Sequence, residues 1–150
     1  MIKVRLLFFI LFLFFFNNAI SNENYYLSLK YNKVNVRYGP GIDYPIKFIY
    51  KKRNFPVEIV DKKENFRKIE DYKKNSGWIH ISQLKKNRNS IVLNEKVLFK
   101  KPTKFSEALA LLAPGRLIEI KKCDGTWCKI STLKYSGWVT KKDLWGLKKF

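Results

Sequence analysis

The chain is 150 residues long, with 31 Lys and Arg against 12 Asp and Glu, a formal net charge of +19. That length admits one domain or two small ones and excludes a large multi-domain enzyme. One histidine and two cysteines leave too few ligands for a zinc site, so no metal and no cofactor is expected.

The N-terminus stands apart. Lys3 and Arg5 precede an unbroken apolar run of eleven residues, Leu6 to Phe16, and small residues lie beyond it at Ala19 and Ser21. This is the layout of a cleavable secretory signal over residues 1–21, with cleavage after Ser21. A membrane anchor is the rival reading, but the run spans only about half of the hydrocarbon core, which takes ~20 residues in a helix. Either way, the rest of the chain is expected outside the cytoplasm, periplasmic or secreted. The remainder, Asn22 to Phe150, holds 29 bases and 12 acids, a charge of 29 − 12 = +17.

That remainder is written twice. Ser76-Gly77-Trp78-Ile79 recurs as Ser136-Gly137-Trp138-Val139, and Leu84 and Leu144 close the two segments. Val57-Glu58-Ile59 aligns with Ile118-Glu119-Ile120 and Pro40 with Pro102, at an offset that drifts only from 60 to 62. Insertions so small belong in loops, and two copies are too few for a solenoid. In the first copy the expected strands are Val34–Arg37, Ile46–Tyr50, Pro56–Val60, Phe66–Ile69 and Gly77–Ile81. Turns lie at Gly39-Pro40-Gly41, Asp61–Asn65 and Asp71–Ser76. Ser82-Gln83-Leu84 is long enough for a single helical turn.

In the second copy "SEALALLA", Ser106 to Ala113, is made of strong helix formers. Its place in the repeat is that of Ile46–Tyr50, so it is expected to be extended. The fold class is therefore all-β: two tandem small barrels of about five short antiparallel strands each. They are expected at residues 22–87 and 88–150. The connection "KKNRNS" is short, which brings the barrels into contact. Gly77 and Gly137 are expected to admit a close backbone approach, while Trp78, Trp138, Leu84 and Leu144 seal the two cores.

These motifs resemble a known family. "KVNVRYGPGIDYPI", "FPVEIV", "NFRKIE" and "GWIHISQL" are similar to the bacterial SH3-like domain family, and "CDGTWCKIS" with "YSGWVTKKDLWGL" resembles the second copy of its tandem envelope form. The resemblance spans roughly Leu27 to Leu147. It implies SH3-like barrels in an exported, peptidoglycan-associated protein, with a ligand groove beside the first turn. The second copy keeps Pro102 in "LFKKPTKFSEA" but neither glycine of Gly39-Pro40-Gly41. A groove built on that turn would not work there in the same way.

No catalytic set is present, and no enzyme is expected. Nucleophilic hydrolysis needs a Ser or Cys beside a base with an orienting acid, and His80 is the sole histidine. Glu70 and Asp71 are adjacent, so on a strand they point to opposite faces; they read as solvated turn acids. Cys123 and Cys128 bracket an Asp-Gly turn that brings the flanking strands together. In an exported chain they are expected to form a structural disulfide, with Cα atoms in the window of about 4.4–6.8 Å. Free thiols are the alternative.

What remains is binding. An SH3-type groove docks extended peptides on aromatic rings. Tyr38 and Tyr44 flank the first turn, Tyr72 sits in a later loop, Trp78 opens the last strand, and Asp43 is an acid able to orient an amine. The expected partner is a cell-wall peptide or an envelope protein. The charge suggests the alternative, an electrostatic binder of lipid headgroups, lipopolysaccharide or another polyanion. Twenty-five of the 31 bases are lysine, scattered in turns and on alternate strand positions. That pattern reads as a solvated face with weak attraction to an anionic membrane surface, and no specific nucleic acid is expected.

Overall fold

A computed structural model describes residues 25–147. The expected secretory signal, residues 1–21, lies outside the described residues. The first half forms seven strands: β1 (Tyr25–Leu29), β2 (Val34–Arg37), β3 (Ile46–Tyr50), β4 (Pro56–Lys63), β5 (Phe66–Glu70), β6 (Ser76–His80) and β7 (Leu84–Lys86). The second half forms seven more: β8 (Asn89–Val92), β9 (Lys96–Phe99), β10 (Ala108–Leu112), β11 (Leu117–Asp124), β12 (Trp127–Ser131), β13 (Ser136–Thr140) and β14 (Leu144–Trp145). Each half is one sheet, ordered β3-β2-β6-β5-β4-β1-β7 and β10-β9-β13-β12-β11-β8-β14. Shifted by seven labels, the two orders are the same.

Every paired strand is antiparallel, as short strands joined by tight turns require. In each half the first and last strands join the five expected ones. The helix-rich composition of Ser106–Ala113 gives way to strand β10, because β9 offers it a ladder from Lys96 to Phe99. Irregularities repeat as well. Register shifts fall between Ile59 and Asp61 and between Ile120 and Lys122, in equivalent hairpins. The hairpin turns also agree: Glu64 takes φ +46 where the second copy has Gly125 at φ +53.

Alternation puts one face of each sheet inside. Val34, Val36, Val57, Ile69 and Ile79 are fully buried in the first core, and Leu98, Ile130 and Val139 in the second. Leu84 and Leu144 are buried beside them. The two tryptophans of the repeat depart from expectation. Trp78 and Trp138 are only half-buried, because their neighbours Gly77 and Ile79, or Gly137 and Val139, take the inward positions. The inward glycines leave no room: a Cβ on Gly77 would lie 2.4 Å from Val36 Cγ1, and one on Gly137 would lie 2.5 Å from the Phe99 carbonyl. Glycine lets β6 and β13 press against β2 and β9, and tryptophan caps the outer face.

The cores meet between the halves. Ile91 of β8 is buried in the first core, with Leu117 and Trp145 packed against it. The Trp145 ring meets Tyr26 edge-on at 5.1 Å and Tyr72 at 6.2 Å. Asn87, in the connection, donates to the Gly146 carbonyl at 2.7 Å and to the Asn89 carbonyl at 2.9 Å, and accepts from Ser28.

Candidate functional site

The turn after β2 is built around one ring. A Cβ on Gly39 would lie 2.2 Å from Tyr44 Cδ1, and one on Gly41 would lie 3.2 Å from Tyr44 Cδ2. The Tyr44 ring therefore lies against turn backbone that only glycine leaves open. Four bonds hold the turn: Arg37 donates to the Tyr44 carbonyl at 2.7 Å, Tyr38 N to the Pro45 carbonyl at 3.1 Å, Gly41 N to the Gly39 carbonyl at 3.0 Å, and Tyr44 N to the Gly41 carbonyl at 3.4 Å. Tyr44 still exposes 48% of its surface and Tyr38 exposes 63%.

Trp78 joins this face through β-sheet register. Arg37 of β2 stands opposite Trp78 of β6, which stands opposite Lys68 of β5, and directly opposed residues share a face. Lys47 ties the parts together. Its Nζ lies 5.7 Å from the Tyr38 ring centroid and donates to the Ser76 carbonyl at 2.9 Å. Arg37 thus links the Tyr44 turn to the face that carries Trp78, while Lys47 lies beside Tyr38. Asp43 is exposed at the same turn, and no ion pair or hydrogen bond engages its carboxylate among the described residues.

Tyr72 belongs elsewhere. Its ring packs on Phe55 at 6.1 Å and on Trp145, and its hydroxyl lies near Gly115. Its loop faces the second barrel, which sequence distance from Trp78 does not reveal. The loop is organised by Asp71, which is buried rather than solvated, at 3% exposure. Asp71 Oδ1 accepts from the Lys73 and Asn75 amides at 2.8 and 2.9 Å, and Oδ2 accepts from the Tyr50 hydroxyl and Asn75 Nδ2, each at 2.9 Å. Burial, then the Asp71 charge and hydrogen bond, push the Tyr50 phenol far above its ordinary range.

His80 has a structural role. Its Nδ1 accepts from the Ser82 amide at 3.3 Å and pairs with Ser82 Oγ at 2.7 Å, capping the 3-10 turn Ile81–Gln83. Phe66 meets its ring edge-on at 5.1 Å. No acid orients the imidazole in this arrangement. No group of three or more His, Cys, Asp or Glu able to hold a metal occurs among the described residues.

The profile of the family described as the bacterial SH3 domain matches this chain twice, over residues 30–86 and 93–146. The chain belongs to the bacterial SH3 domain family. Such domains are generally non-catalytic and associate with the cell envelope. No curated protein matches the sequence. Similar solved structures are NlpC2 and NlpC1 from Trichomonas vaginalis, each 13% identical with a TM-score of 0.38. They match 81% and 85% of this chain and 47% of their own. An NlpC/P60 family protein from Bacillus cereus is 13% identical, with a TM-score of 0.36, over 79% of this chain and 55% of its own. The chain thus spans about half the length of these structures, and likeness at such scores carries no argument about function.

The second SH3 domain lacks the tyrosine platform. Its turn runs Lys101-Pro102-Thr103, closed by Ser106 Oγ accepting from the Lys101 amide at 2.9 Å, and Phe105 is fully exposed with no backbone cradle. Its outer face is aromatic in a different way: Phe99 stands opposite Trp138, and Phe99 meets Trp127 edge-on at 5.8 Å. Sequence reasoning missed Phe99 and Trp127, although their alignment with Arg37 and Phe66 marks them. Cys123 and Cys128 form a disulfide across the β11–β12 hairpin. Their Cα atoms are 4.0 Å apart, below the expected window, because the two residues are direct cross-strand partners.

Proposed function

We propose that this protein is an exported, non-catalytic binding module of the cell envelope that takes an extended peptide on the first SH3 domain. The peptide is a segment of the cell wall or of an envelope protein. The observation that carries this reading is the Tyr44 ring, held against Gly39 and Gly41 beside an exposed Tyr38. A rigid, half-exposed aromatic loses little entropy on binding, which is why tyrosine is favoured at contact centres. Arg37 and Lys47 next to the rings favour a peptide that ends or branches in a carboxylate. Trp78 extends the platform across β6, and Asp43 offers a partner for a ligand amine. Export is supported by the layout of residues 1–21 and by the disulfide, since such bonds persist in oxidising compartments.

Chemical-shift mapping with solubilised wall peptides tests the reading. Shifts centred on Tyr38, Tyr44 and Trp78 are expected, and Tyr44→Ala should weaken binding about 30-fold or more, the loss that defines an aromatic hot spot. Shifts that avoid this face, or no binding of wall peptide or envelope protein at all, would reject it.

A further inference from the structure

A strongly basic concavity lies away from the tyrosine face. It lies between the two barrels, with a volume of about 910 Å³. Lys52 comes from the β3–β4 loop, Lys85 and Lys86 from β7, Arg88 from the connection, and Arg116 from the turn before β11. Against these five bases the cleft holds one acid, Glu119. That acid is already engaged: Lys121 Nζ stands 2.8 Å from it, and Ser131 Oγ donates to it at 3.3 Å. None of the five bases has an ion-pair partner within 4.0 Å among the described residues, although, after the Lys121 hydrogen bond, the Arg88 charge helps to hold the Glu119 carboxyl below its ordinary range.

The cleft is preformed. Ile120 N donates to the Arg88 carbonyl at 2.8 Å, Val92 N to the Arg116 carbonyl at 3.0 Å, and Gly115 N to the Val92 carbonyl at 2.8 Å. The Gly115 turn, at φ +80, sits against the Tyr72 hydroxyl of the other barrel. Five bases against one acid, on a backbone fixed by both domains, give the cleft a net positive charge. Like charges placed there repel one another unless something anionic lies among them.

We infer that the cleft between the two SH3 domains is a second binding site, which takes a linear polyanion bearing phosphate or carboxylate groups along its length. The bases come from three separate segments of chain and line a cleft of about 910 Å³, far more room than one small anion fills. A single small anion would meet only part of them. A flat membrane would not reach into the concavity.

Fluorescence anisotropy with inorganic polyphosphate and with polyglutamate tests this, with orthophosphate as the single-anion competitor. Both polymers, or the one whose groups match the natural ligand, should bind at least 10-fold more tightly than orthophosphate. Replacing Arg88 and Arg116 together with Gln should weaken that binding at least 10-fold and lower the salt slope by roughly two. The pair Lys62→Gln and Lys63→Gln, at the exposed tip of the β4–β5 hairpin, removes the same charge and should change it less than threefold. If the Arg pair unfolds the protein, Lys52→Gln with Lys86→Gln serves in its place. Tyr44→Ala should leave polyanion binding intact, which separates this site from the peptide surface. Equal losses from the cleft and hairpin pairs would overturn the inference. So would binding confined to phosphatidylglycerol vesicles, with neither polymer retained.

Discussion

Asp71 offers the sharpest test of how this fold is held. Its carboxylate accepts four hydrogen bonds at 2.8–2.9 Å, two from backbone amides and two from Tyr50 and Asn75 side chains. Asp71→Ala would strand all four donors. An orphaned buried donor costs about 1–3 kcal/mol; Lys73 and Asn75 are exposed, so their donors can turn to water, and the expected loss is roughly 2–3 kcal/mol. Asp71→Asn should behave differently. Its carbonyl oxygen can keep the Lys73 and Asn75 amides while its NH2 faces Tyr50 and Asn75. A tyrosine hydroxyl can rotate to accept, and an asparagine amide can flip. Only the charge assistance is then lost, about 1–2 kcal/mol. Urea unfolding of both variants measures the difference. A loss below about 1 kcal/mol for Asp71→Ala would refute the buried network and restore the solvated turn acid that the sequence suggests.

The same network sets a pH dependence. Tyr50 keeps its proton in the folded state to a higher pH than in the unfolded chain, where it ionises near about 10. Stability should hold below that pH and fall as pH rises above it, and Tyr50→Phe should flatten the fall in thermal melts. Alanine at Gly137 would meet the Phe99 carbonyl at 2.5 Å, and at Gly77 the Val36 methyl at 2.4 Å and the Arg37 carbonyl at a looser 2.9 Å. Denaturant melts should show Gly137→Ala as the costlier, at about 3 kcal/mol against 1–2 for Gly77→Ala; equal, small losses would contradict the close approach. The Cys123–Cys128 bridge closes a loop with a sequence separation of 5, so its reduction should lower stability by about 2–3 kcal/mol or less, read as a shift in melting temperature with and without dithiothreitol.

The strands were legible because turn chemistry and β-branched residues mark them, and the repeat marks them twice. What the sequence hid was direction. Alternation divides β6 into two faces but does not say which one is inside. Gly77 decides it, since β2 comes too close for any inward side chain, and only the packed strands reveal that. Asp71 was hidden for a similar reason. Its neighbours Glu70, Lys73 and Lys74 look like a solvated turn, and the Tyr50 that buries it lies 21 residues away. Tyr38 and Tyr44 could be singled out because the glycines that accommodate the Tyr44 ring are their immediate neighbours. The cleft bases could not, because Lys52, Lys86 and Arg116 meet only across two domains.

That last point bears on why the domain occurs twice. The first core borrows from the second half: Ile91 and Trp145 complete it, and the Gly115 turn sits on Tyr72. A joint of this kind fixes the angle between barrels, and the angle creates the basic cleft. Neither domain alone contains it, since its walls come from β7 on one side and the turn before β11 on the other. The tyrosine face, by contrast, is built within the first domain, from β2, β3, β6 and the turn between β2 and β3. The two surfaces can therefore change independently. Divergence of the second copy at its first turn removes a tyrosine platform without touching the joint, and the residues that make the joint have no counterpart role within a single barrel.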